Sequence, residues 1–354
     1  MTRKAAIVGG GIGGLAAAIH LRDRGWHVEV FERSTALPAT GTALGLWPGA
    51  LRALDTIGVG AAVRDLGRAQ TGGAFLRPDG SRIAPIDVSA IERRTGDAVR
   101  LLSRPALLGL LGGALDESVV RFDSEVADIG ELAGYDAVIA ADGLRSRARA
   151  ALFGPAYRPR YVGATTWRGT VDGEAGPVTE TWGEGARFGI TPREDGRTNW
   201  FACALAPEGQ RSPGAEIPLL RKHFGHWHRE VRKVIDRMGE DEVLRHDLHY
   251  LDPPLPSYVR GRVALIGDAA HAMTPDLGRG ACEALVDGVT VARCLAEHPN
   301  VTDGLAAYDA LRRRPTQRLA RTARVVNRMA NARRFNRLRD AALRLALAVG
   351  GPPD

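Results

Sequence analysis

The order of apolar and polar positions predicts alternating strands and helices at the start of the chain. The apolar run Lys4–Val8 has the length of a buried strand, and the stretch 15–24 that follows it predicts a helix, which Gly25 ends. A second apolar run over 28–31 indicates the next strand. Strand, helix and strand in this order predict a βαβ unit and therefore a parallel sheet.

The middle of the chain has a different pattern, in which apolar and polar residues alternate over short runs. These runs occupy 157–170, 178–182, 187–191 and 198–204. Gly-Glu-Gly at 183–185 and Glu-Asp-Gly at 194–196 separate three of them, and such breaks are typical of hairpin turns. We therefore predict a mainly antiparallel sheet here.

Near the C-terminus the pattern predicts an amphipathic helix. Its apolar face carries Leu319, Ala323, Val326 and Ala330, and its opposite side carries Arg314, Arg321, Arg324 and Arg328. A helix packed on the body with a solvated arginine face explains this pattern. Binding of an anionic partner or a membrane surface stays open as the alternative. The Gly-Gly-Pro-Pro end at 350–353 is expected to be frayed.

Composition narrows the class of protein. The 354 residues suffice for two domains, and 44% hydrophobic residues exclude a disordered chain. The formal net charge of +7 is uneven, because residues 312–349 hold twelve Arg and one acid. The rest of the chain is therefore mildly acidic. With few aromatic residues among these arginines, we expect no nucleic-acid partner. No apolar run is long enough for an integral membrane segment.

The three cysteines are Cys203, Cys282 and Cys294. They form neither an even disulfide framework nor a zinc motif, so we expect reduced thiols, a cytoplasmic protein and no metal site. The cluster of His223, His226 and His228 fits a solvated helix face better than a metal site.

The glycines at the start of the chain follow a nucleotide-binding pattern. Gly9, Gly11 and Gly14 satisfy G-x-G-x-x-G between the first strand and its helix, and Glu32 ends the second strand. The first glycine permits the tight turn, the second lets the backbone approach a pyrophosphate, and the third permits close packing of helix on strand. The helix N-terminus attracts phosphate, and Glu32 lies where a carboxylate binds a ribose. This pattern predicts dinucleotide binding.

A later segment favours FAD over NAD. A buried-strand pattern at 262–266 is followed by Gly267 and Asp268, and a long helix starts near Gly278 after Pro275. A carboxylate at a strand end can bind the hydroxyls of a ribityl chain. A helix N-terminus directed at a flavin ring would stabilise its reduced, anionic form.

Three ordered motifs carry a resemblance to a known family. They are the glycine fingerprint ending in Glu32-Arg33, the segment 136–149 around Asp142-Gly143, and the segment from Gly267. Segments 41–54 and 103–107 also look like family segments near the flavin. The chain resembles the FAD-dependent aromatic hydroxylases of the para-hydroxybenzoate hydroxylase type, which are single-component flavoprotein monooxygenases.

The resemblance implies a set of FAD-binding residues. This set is Gly9, Gly11, Gly13, Gly14, Glu32, Arg33, Arg104, Asp142, Gly143, Gly267, Asp268, Gly278 and Gly280. Within it, Glu32 and Arg33 would hold the adenosine end and Asp268 the ribityl chain, while Pro275 and Leu277 would lie near the isoalloxazine with Gly278. Asp276 and Arg279 depart from the commoner Asn and Gln, and they could pair with each other.

The implied chemistry uses non-covalent FAD, NADPH or NADH as transient reductant, and O2. In the family a flavin C4a-hydroperoxide transfers oxygen to an aromatic or polycyclic small molecule. No second glycine fingerprint serves the nicotinamide cofactor, and no substrate-deprotonating base is identified. The open alternatives are another flavin oxidoreductase, such as an oxidase, epoxidase or halogenase, and a non-catalytic flavin-binding regulator that uses the basic tail.

We predict an α/β fold with a Rossmann-type, glutathione-reductase-like FAD-binding domain, an inserted mainly antiparallel substrate domain and a C-terminal helical region. The FAD domain would comprise 1–72, 98–156 and 256–354, and the substrate domain 73–97 and 157–255. Candidate substrate residues are Trp167, Trp182, Arg187, Phe188 and Trp200, although core packing is the more common role for each aromatic residue taken alone. Arg168 and Arg187 are the candidates for binding an anionic substrate group, with Arg187 preferred and a surface ion pair as the alternative for each. The protein is expected to be a monomer or homodimer.

Overall fold

The computed structural model describes residues 2–212 and 214–349. In chain order the strands are β1 Lys4–Val8, β2 His27–Phe31, β3 Ala43–Leu46, β4 Arg68–Ala69, β5 Gly73–Leu76, β6 Arg82–Ile86, β7 Arg100–Ser103, β8 Val120–Arg121, β9 Ala137–Ala140, β10 Arg158–Val171, β11 Val178–Trp182, β12 Ala186–Pro192, β13 Thr198–Leu205, β14 Leu244–Asp252, β15 Val259–Arg260 and β16 Val263–Leu265. The expected frayed end at 350–353 lies outside the described residues.

The α-helices fill the remaining regular structure. They are α1 Ile12–Asp23, α2 Pro48–Thr56, α3 Gly60–Leu66, α4 Ser89–Thr95, α5 Arg104–Gly113, α6 Arg147–Phe153, α7 Glu216–Phe224, α8 Arg229–Asp236, α9 Asp268–His271, α10 Gly280–Glu297, α11 Val301–Ala330 and α12 Asn336–Val349. Short 3-10 helices lie at Glu117–Val119, Ile129–Leu132, Glu240–Glu242 and Pro275–Leu277.

A six-stranded sheet in the order β15-β16-β9-β1-β2-β8 forms the first layer. β1 pairs in parallel with β2 and β9, so the βαβ prediction is confirmed. α1 packs closely on α10. The helices are so near each other that a Cβ on Gly288 would lie only 2.2 Å from the Gly13 carbonyl oxygen. Glycine at both positions therefore lets the two helix backbones approach each other, which fixes the nucleotide-binding turn against the long helix.

A seven-stranded sheet in the order β14-β10-β13-β12-β11-β5-β6 forms the second layer. Its pairings are antiparallel except for β5 on β11, which is parallel. The alternating runs of the middle region are confirmed as strands, whereas the parallel addition of the β5–β6 hairpin has no signal in the local pattern. All seven strands lie within 73–97 and 157–255. The division of the chain into two domains stays a prediction.

A three-stranded sheet, β3-β7-β4, brings a further segment towards the first layer. β7 ends at Ser103, whose hydroxyl accepts a hydrogen bond from the Ala106 N–H and so caps the start of α5. This cap places Arg104 at the first position of the helix.

The C-terminal helices connect the two larger sheets. The predicted apolar face of α11 is confirmed at Ala323 and Ala330, which are fully buried. Arg324 departs from the predicted solvated face, because its guanidinium lies 4.1 Å from the centre of the Tyr250 ring and 3.8 Å from Asp252. α12 packs on β6, and Leu343 of α12 joins a small core with Trp182. Within the described residues, no helix is long and apolar enough to cross a bilayer.

Candidate active site

The glycine turn after β1 is built for a close backbone approach. Gly9 has φ +108°, and a Cβ on it would lie 2.5 Å from the Ala141 carbonyl oxygen. A Cβ on Gly14 would lie 2.1 Å from the Gly9 carbonyl oxygen, whereas a Cβ on Gly11 would meet nothing within 4 Å. Gly9 and Gly14 are thus required by the shape of the turn, while Gly11 faces open space. Gly11 is the N-cap residue of α1, and no side chain of the described residues accepts a hydrogen bond from the N–H groups at this helix end. The first N–H groups of α1 are left for an anion.

Glu32 is tied to this turn. One carboxylate oxygen accepts the Gly10 N–H at 2.7 Å, and the other accepts the Ser34 N–H at 2.9 Å. Neither Glu32 nor Arg33 lines a cavity described below. Their assignment to the adenosine end stays a prediction.

The turn after β16 is held by a buried cluster of charged side chains. Gly267 has φ +58° and donates its N–H to Asp287, which also pairs with His271 at 2.6 Å and with Arg312 at 2.6 Å. Burial alone would raise the pKa of Asp287, but His271 and Arg312 lower it to about 2. Burial would lower the pKa of His271, and Asp287 reverses this and raises it. The network therefore fixes the turn that presents Asp268.

One cavity of about 710 Å³ joins this turn to the second sheet. Its near wall contains Gly11, Gly13, Gly14, Thr40 to Gly45, Arg104, Gly143, Gly267, Asp268, Pro275, Gly278 and Gly280. These are segments that lie far apart in sequence and meet here. Leu277 is outside the lining.

The polar atoms of this wall fit FAD. The Asp268 side chain is open to the cavity, where desolvation raises its pKa, and no side-chain partner in the described structure binds its carboxylate. Thr274 Oγ1 is buried without a partner. An open glycine turn, a carboxylate for hydroxyl groups and Arg104 are what pyrophosphate and a ribityl chain require.

A second cavity of about 280 Å³ lies beside the first sheet. It is lined by Val8, Val126 to Ile129, Asp142, Arg147, Ala148 and Ala151. One oxygen of Asp142 accepts the Ala148 N–H at 3.1 Å, and the other is buried without a partner. Asp142 therefore has a free acceptor at a site separate from the main cavity.

The far wall of the main cavity is one face of the second sheet. Its side chains come from alternate positions of four strands, namely Thr166, Arg168, Arg187, Asn199, Phe201, Cys203, Leu244, His246 and Leu248. Glu180 of β11 joins them. Because strand residues alternate between faces, the neighbouring aromatic residues point the other way.

The predicted aromatic residues are placed accordingly. Trp167 and Phe188 lie in a core beneath α7 and α8, outside the cavity lining. Trp182 packs under α12, likewise outside the lining. Trp200 belongs to the same core as Trp167 but also touches the cavity. Trp167, Trp182 and Phe188 therefore stabilise the sheet from behind, and the wall itself combines polar side chains with Phe201, Leu244 and Leu248.

Arg187 lies in the wall with its two terminal nitrogens paired to carboxylates, while its Nε has no hydrogen-bond partner among the described residues. Its guanidinium is 2.6 Å from Asp276 and 3.3 Å from Glu180. Burial would lower the pKa of Arg187, and Cys203, Asp276 and Glu180 raise it instead. Arg279 pairs with Glu283 at 3.0 Å, so the expected pairing of Asp276 with Arg279 is replaced by Asp276 with Arg187.

Arg168 is the contrasting arginine. Its side chain has no hydrogen bond or ion pair within the described part of the chain, and it borders the cavity. Burial lowers the pKa of its guanidinium, Cys203 opposes this, and the nearby charges of Arg187 and Arg104 lower it further.

Several wall residues were not singled out from the sequence. Glu180, Asn199, Cys203 and His246 are among them. The alternation along β13 carried a usable signal, because Asn199, Phe201 and Cys203 share the face opposite Trp200. Which face of the strand lines the cavity depends on long-range packing, so the sequence alone did not predict it.

The model of the FAD binding domain family matches residues 2–125 and 133–327. The chain is 37% identical over 325 residues to aurachin C monooxygenase/isomerase of Stigmatella aurantiaca, covering 86% of this chain and 84% of that protein. It is 35% identical over 346 residues to 3-amino-4-hydroxybenzoate 2-monooxygenase of Streptomyces cremeus, covering 91% and 85%. HpxO of Klebsiella pneumoniae, solved with FAD and uric acid, superimposes with a TM-score of 0.87 at 26% identity, covering 98% and 92%.

Proposed function

The chain belongs to the family of FAD-dependent aromatic hydroxylases, and from this premise we propose that it hydroxylates a planar aromatic molecule with an acidic substituent. The acidic group would be one that is anionic at neutral pH. The observation that carries this proposal is the unpaired Arg168 in the wall of the cavity that also holds the FAD-binding turns.

FAD supplies the redox chemistry when bound, drawing electrons from NADPH or NADH and oxygen from O2. The residues of the chain have three tasks. The glycine turn, Arg104 and Asp268 would hold the cofactor at one side of the cavity. The sheet wall holds the aromatic ring at the other side. Burial of both in one cavity excludes water from the reacting groups.

Arg168 rather than Arg187 would bind the anionic group. Arg187 already faces two carboxylates, at 2.6 and 3.3 Å, so a third anion beside it would be repelled. An unpaired guanidinium in a partly desolvated wall gains a charge-assisted, bidentate hydrogen bond when a carboxylate binds. Phe201, Leu244 and Leu248 supply apolar surface for the ring.

Relatives support this class of substrate. The Streptomyces cremeus protein is named for 3-amino-4-hydroxybenzoate, and the solved HpxO holds uric acid. Both molecules are aromatic and acidic.

The test uses the FAD-loaded protein with NADPH and, separately, NADH. Oxygen consumption, reductant oxidation and product formation are measured with 3-amino-4-hydroxybenzoate, urate and salicylate, and with the neutral amide of each carboxylate. We expect an acid to stimulate reductant oxidation and to appear as hydroxylated product, with the matching amide at least about tenfold less effective. Reductant oxidation that yields only hydrogen peroxide with every acid would contradict the hydroxylase proposal.

A matched pair of variants tests the role of Arg168. Arg168→Gln is expected to raise KM for the acid about tenfold or more and to change KM for the amide little. Arg160→Gln, on the same strand but exposed, should leave both unchanged. An equal loss for acid and amide in Arg168→Gln would show that Arg168 does not bind the anionic group.

Two broader expectations remain proposals. All three cysteines are free and buried, which supports a reducing, cytoplasmic location. A monomer or homodimer is proposed for the oligomeric state, which sedimentation velocity can decide.

A further inference from the structure

The two C-terminal helices carry an arginine-rich outer surface that catalysis does not use. Among residues 312–349, twelve are Arg and one is acidic. Five of these arginines are engaged: Arg312, Arg313, Arg324 and Arg339 pair with carboxylates, and Arg344 donates to the Ile83 carbonyl. The other seven are exposed and have no ion pair within the described residues, namely Arg314, Arg318, Arg321, Arg328, Arg333, Arg334 and Arg337.

Apolar side chains stand among these arginines. Phe335, Leu338, Leu345 and Val325 are 79%, 70%, 65% and 63% exposed, the highest values for large apolar residues in the described chain. Leu338 and Leu345 share one stripe of α12 with the exposed Ala341 and Ala342, and this stripe contains no charge. Exposed apolar residues that cluster on one surface indicate a binding surface.

The rotation of α12 is fixed, so the apolar stripe cannot turn inwards. On the inner side Arg339 donates to the Gly183 carbonyl at 2.7 Å and pairs with Asp340 at 2.9 Å. Asp340 also accepts from Arg77 at 2.8 Å, and Leu343 is buried beside Trp182. Breaking these buried contacts to hide Leu338 and Leu345 would cost more than covering two leucines gains.

The outer side of α11 has the same mixed character. Leu311 and Val325 lie on one helical face with Arg314, Arg318, Arg321 and Arg328, and Leu311 is 50% exposed. Arginine side chains can place their methylene groups on an apolar surface while the guanidinium reaches polar headgroups.

We propose that this surface, formed by the outer faces of α11 and α12 with the turn 333–335 between them, binds an anionic lipid bilayer. The seven arginines would contact lipid phosphates, and Phe335, Leu338 and Leu345 would enter the boundary between headgroups and acyl chains. The protein lies on the bilayer rather than crossing it, because no described helix has the length and apolarity to span one.

Charge decides between this occupant and two others. A second copy on a two-fold axis would bring the same unpaired arginines face to face, and like charges repel. A nucleic acid would satisfy the arginines but offers nothing for the uncharged stripe, and Phe335 is the one exposed aromatic residue there for stacking. An anionic bilayer matches both halves of the surface.

The experiment is flotation of the full-length, FAD-loaded protein with phosphatidylcholine vesicles, with and without about 30% phosphatidylglycerol, at about 0.1 M salt. We expect binding to the anionic vesicles, at least about tenfold weaker binding to pure phosphatidylcholine, and weakening by about 0.5 M salt. No binding to anionic vesicles would overturn the proposal, and so would equal binding to both kinds of vesicle.

Two double variants separate the contribution of arginine charge to vesicle binding from that of apolar side chains entering the bilayer. Arg334→Gln with Arg337→Gln should weaken binding roughly 25-fold, because each arginine near an anionic surface contributes about fivefold. Leu338→Ser with Leu345→Ser should weaken it at least tenfold and leave FAD content and turnover unchanged, since neither residue lines the cavity. Arg232→Gln and Leu66→Ser, which are exposed elsewhere, are the controls.

The outcomes discriminate between the occupants. Unchanged binding in both double variants, or equal loss in the controls, overturns the proposal. If the leucine pair instead turns a dimer into a monomer in sedimentation velocity, the surface is a self-interface and the lipid proposal fails. If polyuridylate binds through the same arginines and anionic vesicles do not, the surface is a nucleic-acid site. Circular dichroism confirms the fold of each variant.

Discussion

The guanidinium of Arg187 on β12 forms an ion pair with the carboxylate of Asp276 at 2.6 Å, between the seven-stranded sheet and the 3-10 helix Pro275–Leu277. The same guanidinium holds Glu180 at 3.3 Å, and both carboxylates are largely buried. Asn327 of α11 donates its amide N–H to the same Oδ1 of Asp276 at 3.1 Å. One arginine therefore joins three parts of the chain at the wall of the cavity.

Removing this arginine should strongly destabilise the fold. Arg187→Gln leaves two buried carboxylates without a cation, and breaking a buried ion pair costs about 3–5 kcal/mol. The free energy of unfolding, measured in urea, should fall by this amount. Arg197 pairs with Asp172 and Glu242, which are both exposed. Arg197→Gln should therefore lower the free energy of unfolding by about 1 kcal/mol or less. Equal losses in the two variants would mean that the buried cluster contributes no more than a surface pair.

Two glycines of the same turn should respond differently to alanine. In Gly14→Ala the new Cβ would lie 2.1 Å from the Gly9 carbonyl oxygen, so the turn must shift and both stability and FAD content should fall. In Gly11→Ala nothing lies within 4 Å, so the apoprotein should keep wild-type stability while FAD affinity drops about tenfold, or about 1.4 kcal/mol. Thermal unfolding of apoprotein and fluorescence titration with FAD measure the two effects. Full FAD affinity in Gly11→Ala would contradict the phosphate-binding role of this turn.

Asp268 should anchor FAD through hydrogen bonds to its carboxylate. Asp268→Ala removes an acceptor that no described residue occupies, and hydrogen bonds to a charged group contribute about 1.5–3 kcal/mol. We expect the Kd of FAD to rise at least about tenfold. Asp236→Asn on the exposed side of α8 is the control. Wild-type FAD occupancy and turnover in Asp268→Ala would refute the assignment of this site.

The His271–Asp287 pair predicts a pH dependence of stability. The pKa of His271 is raised above its usual value, so its contribution is fully present below about pH 6.5 and is lost as the pH rises through the folded value. Asp287 has a pKa of about 2, so its contribution is lost only when the pH falls towards 2. The stability advantage of wild type over His271→Gln should therefore be larger near pH 6 than near pH 10. An advantage that is constant across this range would indicate that His271 is neutral in the folded protein.

The sequence by itself determined the local units of this protein. The period of the apolar residues predicted β1, α1 and β2, and the alternating runs predicted four strands of the second sheet. The glycine pattern and Gly267-Asp268 predicted the turns that line the main cavity. A turn that needs a positive φ or a close backbone approach requires glycine, so it leaves a signal in the sequence.

Only the tertiary structure decided which side chains face one another. Trp167, Trp182 and Phe188 were candidates for substrate contact, yet in the folded sheet their side chains are buried in hydrophobic cores. Thr166, Arg168 and Cys203 line the cavity instead. Arg168 and Arg187 are alike in sequence, and only the distant Asp276 and Glu180 make one paired and the other free. Residue type and spacing act over a few positions, whereas the partner of a buried charge is set by chain segments that meet only after folding.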